Sequence, residues 1–154
     1  MLKETLQEDL KAAMRARDDV RLRTVRALRA AIMEKEISER KDGVAELTAE
    51  QELGVVQKQA KQRRDSIEQF ESAGRKDLAD REREELVLIE TYLPKQLGDD
   101  EIRSVVQELV EQSGATSMRD IGKVMGPAMQ QLKGRADGRR VQEAVKAILS
   151  ENAA

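Results

Sequence analysis

The sequence predicts an all-α fold in two domains, and three observations lead to this prediction. Ala, Leu, Glu, Lys and Arg dominate the 154 residues, and all five are good helix formers. Apolar residues recur at three- and four-residue intervals, and no segment has the alternating, β-branched pattern of a strand. We therefore expect an N-terminal four-helix domain over residues 1–93 and a small three-helix domain over residues 94–154.

The first two helices are predicted from their apolar faces. One runs from about Leu2 to Arg17, and the next begins after a capping aspartate at 18 or 19 and reaches about Arg40. The residues expected on the two faces are Leu2, Leu6, Leu10, Ala13, Met14, Leu22, Val25, Leu28, Ile32 and Met33. The pair Asp42-Gly43 then indicates a turn.

The third helix is predicted to begin at Thr48, because Gln51 occupies the third position of a capping box. Gly74 ends it in a left-handed cap. The fourth helix stops before Pro94, since proline disfavours a helical residue ahead of it. The segment LPKQLG (93–98) is the best domain boundary.

Three shorter helices complete the prediction. Acidic residues at 99–101 favour a helix start, because they interact well with the helix dipole. Gly114 ends that helix, Ser117 caps the next one, and Asp137 caps a last helix that runs to about Leu149.

Several classes of function are excluded by composition. The chain has no His, no Cys and no Trp, which rules out a Ser-His triad, a cysteine nucleophile and a zinc site built on Cys or His. No stretch approaches about 20 consecutive apolar residues, so no membrane span is expected. The sequence predicts a soluble, cytoplasmic protein with no metal and no cofactor.

Five charged residues fall on or beside the predicted apolar faces: Arg21, Arg29, Arg63, Glu82 and Glu85. The two glutamates, three residues apart, could bind a metal or act as acid and base. Di-metal bundles, however, use a Glu-x-x-His pattern that this chain cannot supply. We favour ion pairs between helices, with the side-chain stems on apolar surface.

Two glycines four residues apart interrupt the predicted helix that follows Ser117. If residues 117–133 are helical, the side opposite the apolar face carries Arg119, Gly122, Lys123, Gly126, Gln130 and Lys133. One interpretation is close packing against another helix. The other is contact with a phosphate backbone, which the cations would neutralise. Pro127 is predicted to divide the segment, with Gly126 as the cap and Pro127 at the first position of a new helix whose N-terminus faces an anion.

The loop KGRADGRR (133–140) is the second candidate for phosphate contact. Its cations are Lys133, Arg135, Arg139 and Arg140, set around Gly134, Asp137 and Gly138. The glycines are expected to leave backbone amides available. Residues 115–149 hold 7 Lys and Arg against 3 Asp and Glu, whereas the whole chain has a net charge of -2.

Five segments together resemble one family. They are GKVMG (122–126), KGRADGRRV (133–141), KQRRDSIEQFESAGRKDL (61–78), ETYLPKQL (90–97) and the Arg-rich ALRAAI region (27–32). This combination is similar to the YqeY family and to the YqeY-like tail domain of GatB, a subunit of the glutamine-dependent tRNA amidotransferase. The resemblance implies a helical N-terminal domain joined to a three-helix domain. It also implies a tail that helps to hold tRNA, while phosphorylation and amide transfer occur in domains that this chain lacks.

Three functional hypotheses follow. The first is a non-catalytic helical module that contacts tRNA or another structured RNA through its C-terminal domain. The second is an accessory subunit or enzyme of carbon–nitrogen ligation with glutamine as amide donor, although no catalytic constellation is visible. The third is a scaffold in which the charged bundle docks a protein partner.

Overall fold

The computed structural model describes residues 1–41, 43 and 45–153. Its described residues form seven α-helices and one short 3₁₀ helix, and none of them forms an extended sheet, which confirms the all-α prediction. The helices are α1 (Leu2–Ala16), α2 (Asp19–Glu39), α3 (Ala49–Ser72), α4 (Lys76–Glu90), α5 (Asp99–Ser113), the 3₁₀ turn (Met118–Asp120), α6 (Ile121–Gln131) and α7 (Gly138–Asn152).

The chain divides into two compact units, Met1–Pro94 and Lys95–Ala154. The first unit contains α1 to α4, and the second contains α5 to α7. Whether they are the independently folding domains 1–93 and 94–154 stays a prediction.

Local capping chemistry sets several helix ends as the sequence predicts. The Asp18 carboxylate accepts a hydrogen bond from the Arg21 amide at 3.0 Å, which begins α2. At the start of α3, the Thr48 hydroxyl accepts from the Gln51 amide at 3.2 Å, and the Gln51 side chain accepts from the Thr48 amide at 2.9 Å. Gly74 takes a φ of 70° just after α3. Of the predicted turn after α2, Asp42 lies outside the described residues, while Gly43 has a φ of 100°.

Each unit has its own aliphatic core. The fully buried large side chains of the first unit are Leu6, Val25, Leu28, Ile32, Val56 and Ile89. Those of the second are Ile102, Val106, Val124, Leu132, Ile148 and Leu149. Two methionines expected in the first core, Met14 and Met33, are instead exposed. They lie at the edges of the predicted faces, where a small rotation of the helix turns a side chain to solvent.

Buried charges hold α2, α3 and α4 together in the first unit. Glu85 is buried on α4, and its carboxylate accepts from Arg23 Nε at 2.7 Å and lies 2.9 Å from Arg63 Nη2. Arg63 also reaches Glu82, at 3.4 Å. The favoured interpretation, ion pairs between helices, is confirmed for these residues.

A second cluster of polar side chains connects α1, α2 and the segment just after α4. Arg21 pairs with Asp9 at 2.8 Å, and the Tyr92 hydroxyl donates to the same aspartate. Burial raises the pKa of the Tyr92 phenol above its ordinary value, and the hydrogen bond to Asp9 adds to this effect. Arg29, which was also expected to pair, makes no ion pair with any described residue.

Candidate nucleic-acid interface

The helix α6 is positioned by a short capped turn. Ser117 begins the 3₁₀ turn, and its hydroxyl accepts from the Arg119 amide at 3.4 Å. Asp120 accepts from the Thr116 amide at 3.0 Å, which ties the turn to the residues before it. The helix then buries Val124 and Ala128 in the core of the second unit, and Leu132 is buried just beyond its end. The predicted apolar face is confirmed.

The opposite side of this segment is open to solvent. We call it the α6 surface, and its members are Arg119, Gly122, Lys123, Gly126, Gln130 and Lys133. All six residues are exposed. The periodicity of the sequence therefore assigned both sides of the helix correctly.

The two glycines of the α6 surface are not packing glycines within the described chain. A Cβ placed on Gly122 or Gly126 would have no heavy atom within 4 Å beyond the local helix backbone. Packing against another helix of this chain was one of the two interpretations, and it is wrong for the described residues. A glycine in a helix costs about 1 kcal/mol relative to alanine, and no close neighbour in the described chain accounts for that cost here.

Pro127 does not divide the helix. Helix α6 runs without a break from Ile121 to Gln131 with Pro127 inside it, so the predicted cap at Gly126 and new helix N-terminus are wrong. A fixed φ near -65° is compatible with a helix, and the exposed ring meets solvent rather than a neighbouring element. Because proline has no N–H, the Lys123 carbonyl lacks its usual partner four residues on.

The cations of the α6 surface differ in their surroundings. Lys123 Nζ lies 3.3 Å from the Asp120 carboxylate, one turn before it. The backbone hydrogen bond from Thr116 lowers the pKa of Asp120, and the Lys123 ammonium lowers it further. Arg119 makes no side-chain ion pair with any described residue. A polyanion would therefore compete with Asp120 for Lys123 but not for Arg119.

The loop after α6 is more ordered by hydrogen bonds than its composition suggests. The amides of Arg135 and Ala136 both donate to the Leu132 carbonyl, at 3.0 and 3.2 Å. Gly134 is buried with a φ of 77°, and its carbonyl accepts from Gln96 Nε2 at 2.7 Å. The prediction that the amides of this loop are left available is therefore wrong for Arg135 and Ala136. The Arg135 side chain is nevertheless exposed, while its carbonyl accepts from the Leu97 amide at 2.8 Å.

The start of α7 contains the remaining predicted site residues. Asp137 is the N-cap but makes no side-chain capping bond, and Gly138 is half-buried, where an added Cβ would meet Met129 Cε at 2.8 Å. Arg140 pairs with Asp99 at 2.6 Å, which joins α7 to the first turn of α5. Arg139 lies 3.8 Å from Glu143. Arg140 therefore has a structural role that the sequence did not indicate, whereas the contact at Gly138 is with the tip of a flexible, exposed side chain.

Only one of the two acidic partners can be predicted from its spacing in the sequence. Asp120 lies three residues before Lys123, a spacing that predicts a pair on a helix. Asp99 lies 41 residues from Arg140, and only the packing of α5 on α7 brings them together.

The family model for YqeY-like proteins matches residues 3–149, nearly the whole chain. This chain belongs to the YqeY-like protein family. The predicted family resemblance is thereby confirmed over both units of the YqeY-like chain.

Curated relatives agree with this assignment. Three proteins named "Altered inheritance of mitochondria protein 41, mitochondrial" are 35% identical over 123 residues (Vanderwaltozyma polyspora), 34% over 148 (Pyrenophora tritici-repentis) and 40% over 88 (Lachancea thermotolerans). The matches cover 75%, 94% and 57% of the YqeY-like chain, and 64%, 78% and 46% of the relatives. The chain thus spans less than two thirds of the first and third relatives.

Two further observations concern the described part of the YqeY-like chain. No helix in it is long and apolar enough to cross a membrane. It also contains no group of three or more Asp or Glu side chains placed to hold a metal ion.

Proposed function

We propose that this YqeY-like chain is a non-catalytic module that binds tRNA or another structured RNA through the α6 surface and the neighbouring Arg135. The observation that carries the proposal is the pair of exposed glycines, Gly122 and Gly126, beside exposed cations and with no packing partner in the described chain. Because the two glycines have no side chains, a bulky phosphate backbone can approach the helix closely at these positions. The neighbouring Lys and Arg side chains can then neutralise its charge.

The length of the α6 surface suits a helical nucleic acid. Helix α6 has 11 residues, which corresponds to about 16 Å at 1.5 Å per residue, and Arg119 and Lys133 lie beyond its two ends. Cations spread over that distance can contact several successive phosphates.

Structured RNA is favoured over single strands because the second unit offers no aromatic side chain for stacking. The chain's one Tyr and one Phe are Tyr92 and Phe70, both in the first unit. Sequence-tolerant binding of single strands depends on stacking of bases on such rings. Recognition through phosphates and the shape of a duplex needs none.

The contributions of individual cations follow from their surroundings. Arg119 and Arg135 have exposed side chains without an ion pair to any described residue, so we expect them to contribute most. Lys123 must first exchange Asp120 for phosphate. Arg140 is held by Asp99 and is expected to contribute little.

The experiment is a tRNA titration at several salt concentrations, followed by fluorescence anisotropy. The test variant combines Arg119→Ala, Lys123→Ala and Arg135→Ala. The matched control combines Lys58→Ala, Lys76→Ala and Arg81→Ala, which removes the same charge from exposed positions of the first unit.

We expect the test variant alone to bind weakly, with the slope of log K against log salt less negative by about 2 to 3. Equal losses in the two variants would show that net charge, and not the α6 surface, controls binding. Absence of binding by the parent chain would remove the proposal.

The compartment is a separate proposal. The curated relatives carry "mitochondrial" in their names, whereas composition alone predicted the cytoplasm. We propose that the chain acts in whichever of these compartments holds its RNA, and fractionation of the native host's cells with antibody detection decides between them.

A further inference from the structure

Helix α2 has apolar side chains on two opposite faces. Val25, Leu28 and Ile32 point into the core of the first unit. Ala30, Met33 and Ile37 are exposed, the last two at 54% and 59%. Spacings of three and four residues place these three side chains in one stripe on the outward side. Packing in the core therefore accounts for the apolar side chains of the inner face but not for those of the outward face.

Three charged residues of α2 pair with residues of other helices: Arg21 with Asp9, Arg23 with Glu85 and Glu36 with Lys3. Arg29 is half-buried without an ion pair to any described residue. Arg26 and Glu34, which border the outward stripe, are exposed and make no ion pair with any described residue. An arginine and a glutamate of opposite sign therefore flank an apolar stripe that nothing in the described chain covers.

Two antiparallel copies of α2 would place opposite charges against each other. Arg26 lies four residues before Ala30, and Glu34 lies four residues after it. If two copies of α2 meet antiparallel with Ala30 at the crossing point, each Arg26 faces Glu34 of the second copy. A parallel arrangement would instead place Arg26 opposite the same arginine, with like charges close together.

We propose that the outward face of α2 is a self-association surface, on which two copies of this chain pair antiparallel about Ala30. The small alanine allows the helices to approach closely, and in this register Met33 lies opposite Ala27 of the second copy and Ile37 opposite Arg23. Such a contact is isologous, so each favourable charge pair occurs twice. This inference does not depend on RNA binding.

The first experiment measures association of the full chain by sedimentation equilibrium. The parent is expected to show a concentration-dependent dimer. Ala30→Asp places two like charges together at the crossing point and is expected to raise the dissociation constant at least about tenfold. The control is Val87→Asp on α4, which introduces the same charge at a position that is 65% exposed and should leave association unchanged. A parent that stays monomeric at every concentration, or equal losses in both variants, would overturn the proposal.

A charge exchange tests the pairing itself. Arg26→Glu and Glu34→Arg should each raise the dissociation constant about tenfold, because each change creates two repulsive contacts. The double variant restores both pairs with reversed polarity and should return to within about threefold of the parent. Circular dichroism checks that all three variants are folded. Failure of the double variant to recover would contradict pairing of these two residues.

Disulfide trapping fixes the orientation, since the chain has no cysteine of its own. In the antiparallel arrangement, position 26 is about 12 Å along the helix from its equivalent, too far for a disulfide. A mixture of Arg26→Cys and Glu34→Cys should therefore crosslink on oxidation, and neither variant should crosslink alone. Crosslinking of Arg26→Cys with itself would show a parallel contact and overturn the proposed geometry.

Discussion

The two units contain similarly balanced charges but place them differently. Residues 1–94 hold 19 Lys and Arg against 21 Asp and Glu, and residues 95–154 hold 9 of each. All buried polar or charged residues among the described ones, Thr24, Glu52 and Glu85, lie in the first unit. The second unit has an aliphatic core and turns its cations to the surface. Charge counts alone cannot separate cations that hold a fold together from cations that can bind a ligand.

The largest expected effect comes from breaking the buried cluster of the first unit. Glu85→Ala leaves Arg23 and Arg63 without their shared carboxylate, in a place where Arg63 Nε already has no hydrogen-bond partner. Removing one partner of a buried ion pair costs about 3–5 kcal/mol. Urea unfolding of the full chain, followed by circular dichroism, measures the loss.

The control for this variant is its neighbour on α4. Glu84 lies 3.6 Å from Arg23 but is 59% exposed, so Glu84→Ala should cost at most about 1 kcal/mol. Equal losses for Glu84→Ala and Glu85→Ala would contradict a special role for burial.

In the second unit, the largest expected change is a gain in stability. Pro127→Ala restores a missing helix hydrogen bond to the Lys123 carbonyl at an exposed position within α6. We expect a gain of roughly 1–3 kcal/mol in the free energy of unfolding. Thermal and urea unfolding check it, and a loss of stability would show that the proline makes a contact that the fold needs.

Alanine substitutions at two glycines should change the free energy of unfolding by smaller amounts and in opposite directions. Gly122→Ala adds a methyl group in open space within a helix and should stabilise the chain by about 0.5–1 kcal/mol. Gly114 has a φ of 70° at the end of α5, so Gly114→Ala should destabilise the chain by about 1 kcal/mol. The packing interpretation would require Gly122→Ala to destabilise as well, and unfolding curves for the two variants decide the sign.

The smallest expected effect concerns the ionisation of Tyr92 in the first unit, which absorbance spectroscopy can follow. Because burial and the bond to Asp9 raise the pKa of Tyr92, its stabilising contribution is present below the unfolded pKa of about 10 and lost as pH rises beyond it. Tyr92 is the only tyrosine, so near-ultraviolet absorbance follows its ionisation alone. The folded chain should ionise at higher pH than the chain in urea, and coincident titrations would contradict the raised pKa.

Local features of the sequence predicted much of the fold. The caps at Asp18 and Thr48, the turn at Gly74 and the two sides of α6 follow from residue type and helical period. That Arg63 and Glu85 take part in ion pairs between helices also follows, because charges on an apolar face need partners.

Features that depend on tertiary packing were missed. The outward turn of Met33 depends on the rotation of α2 in its unit. The continuity of α6 through Pro127 depends on an exposed ring, and the burial of Gly134 depends on hydrogen bonds from distant residues. The same holds for Arg140, whose partner Asp99 belongs to another helix.

Amide NMR spectra of the ¹⁵N-labelled chain during a tRNA titration test whether RNA lies on the α6 surface. We expect the amide signals of Gly122 and Gly126 to shift or broaden first. Gly54, a helical glycine of the first unit that also has no neighbour within 4 Å of an added Cβ, should change little. Shifts at Gly54 with unchanged signals from Gly122 and Gly126 would contradict the account.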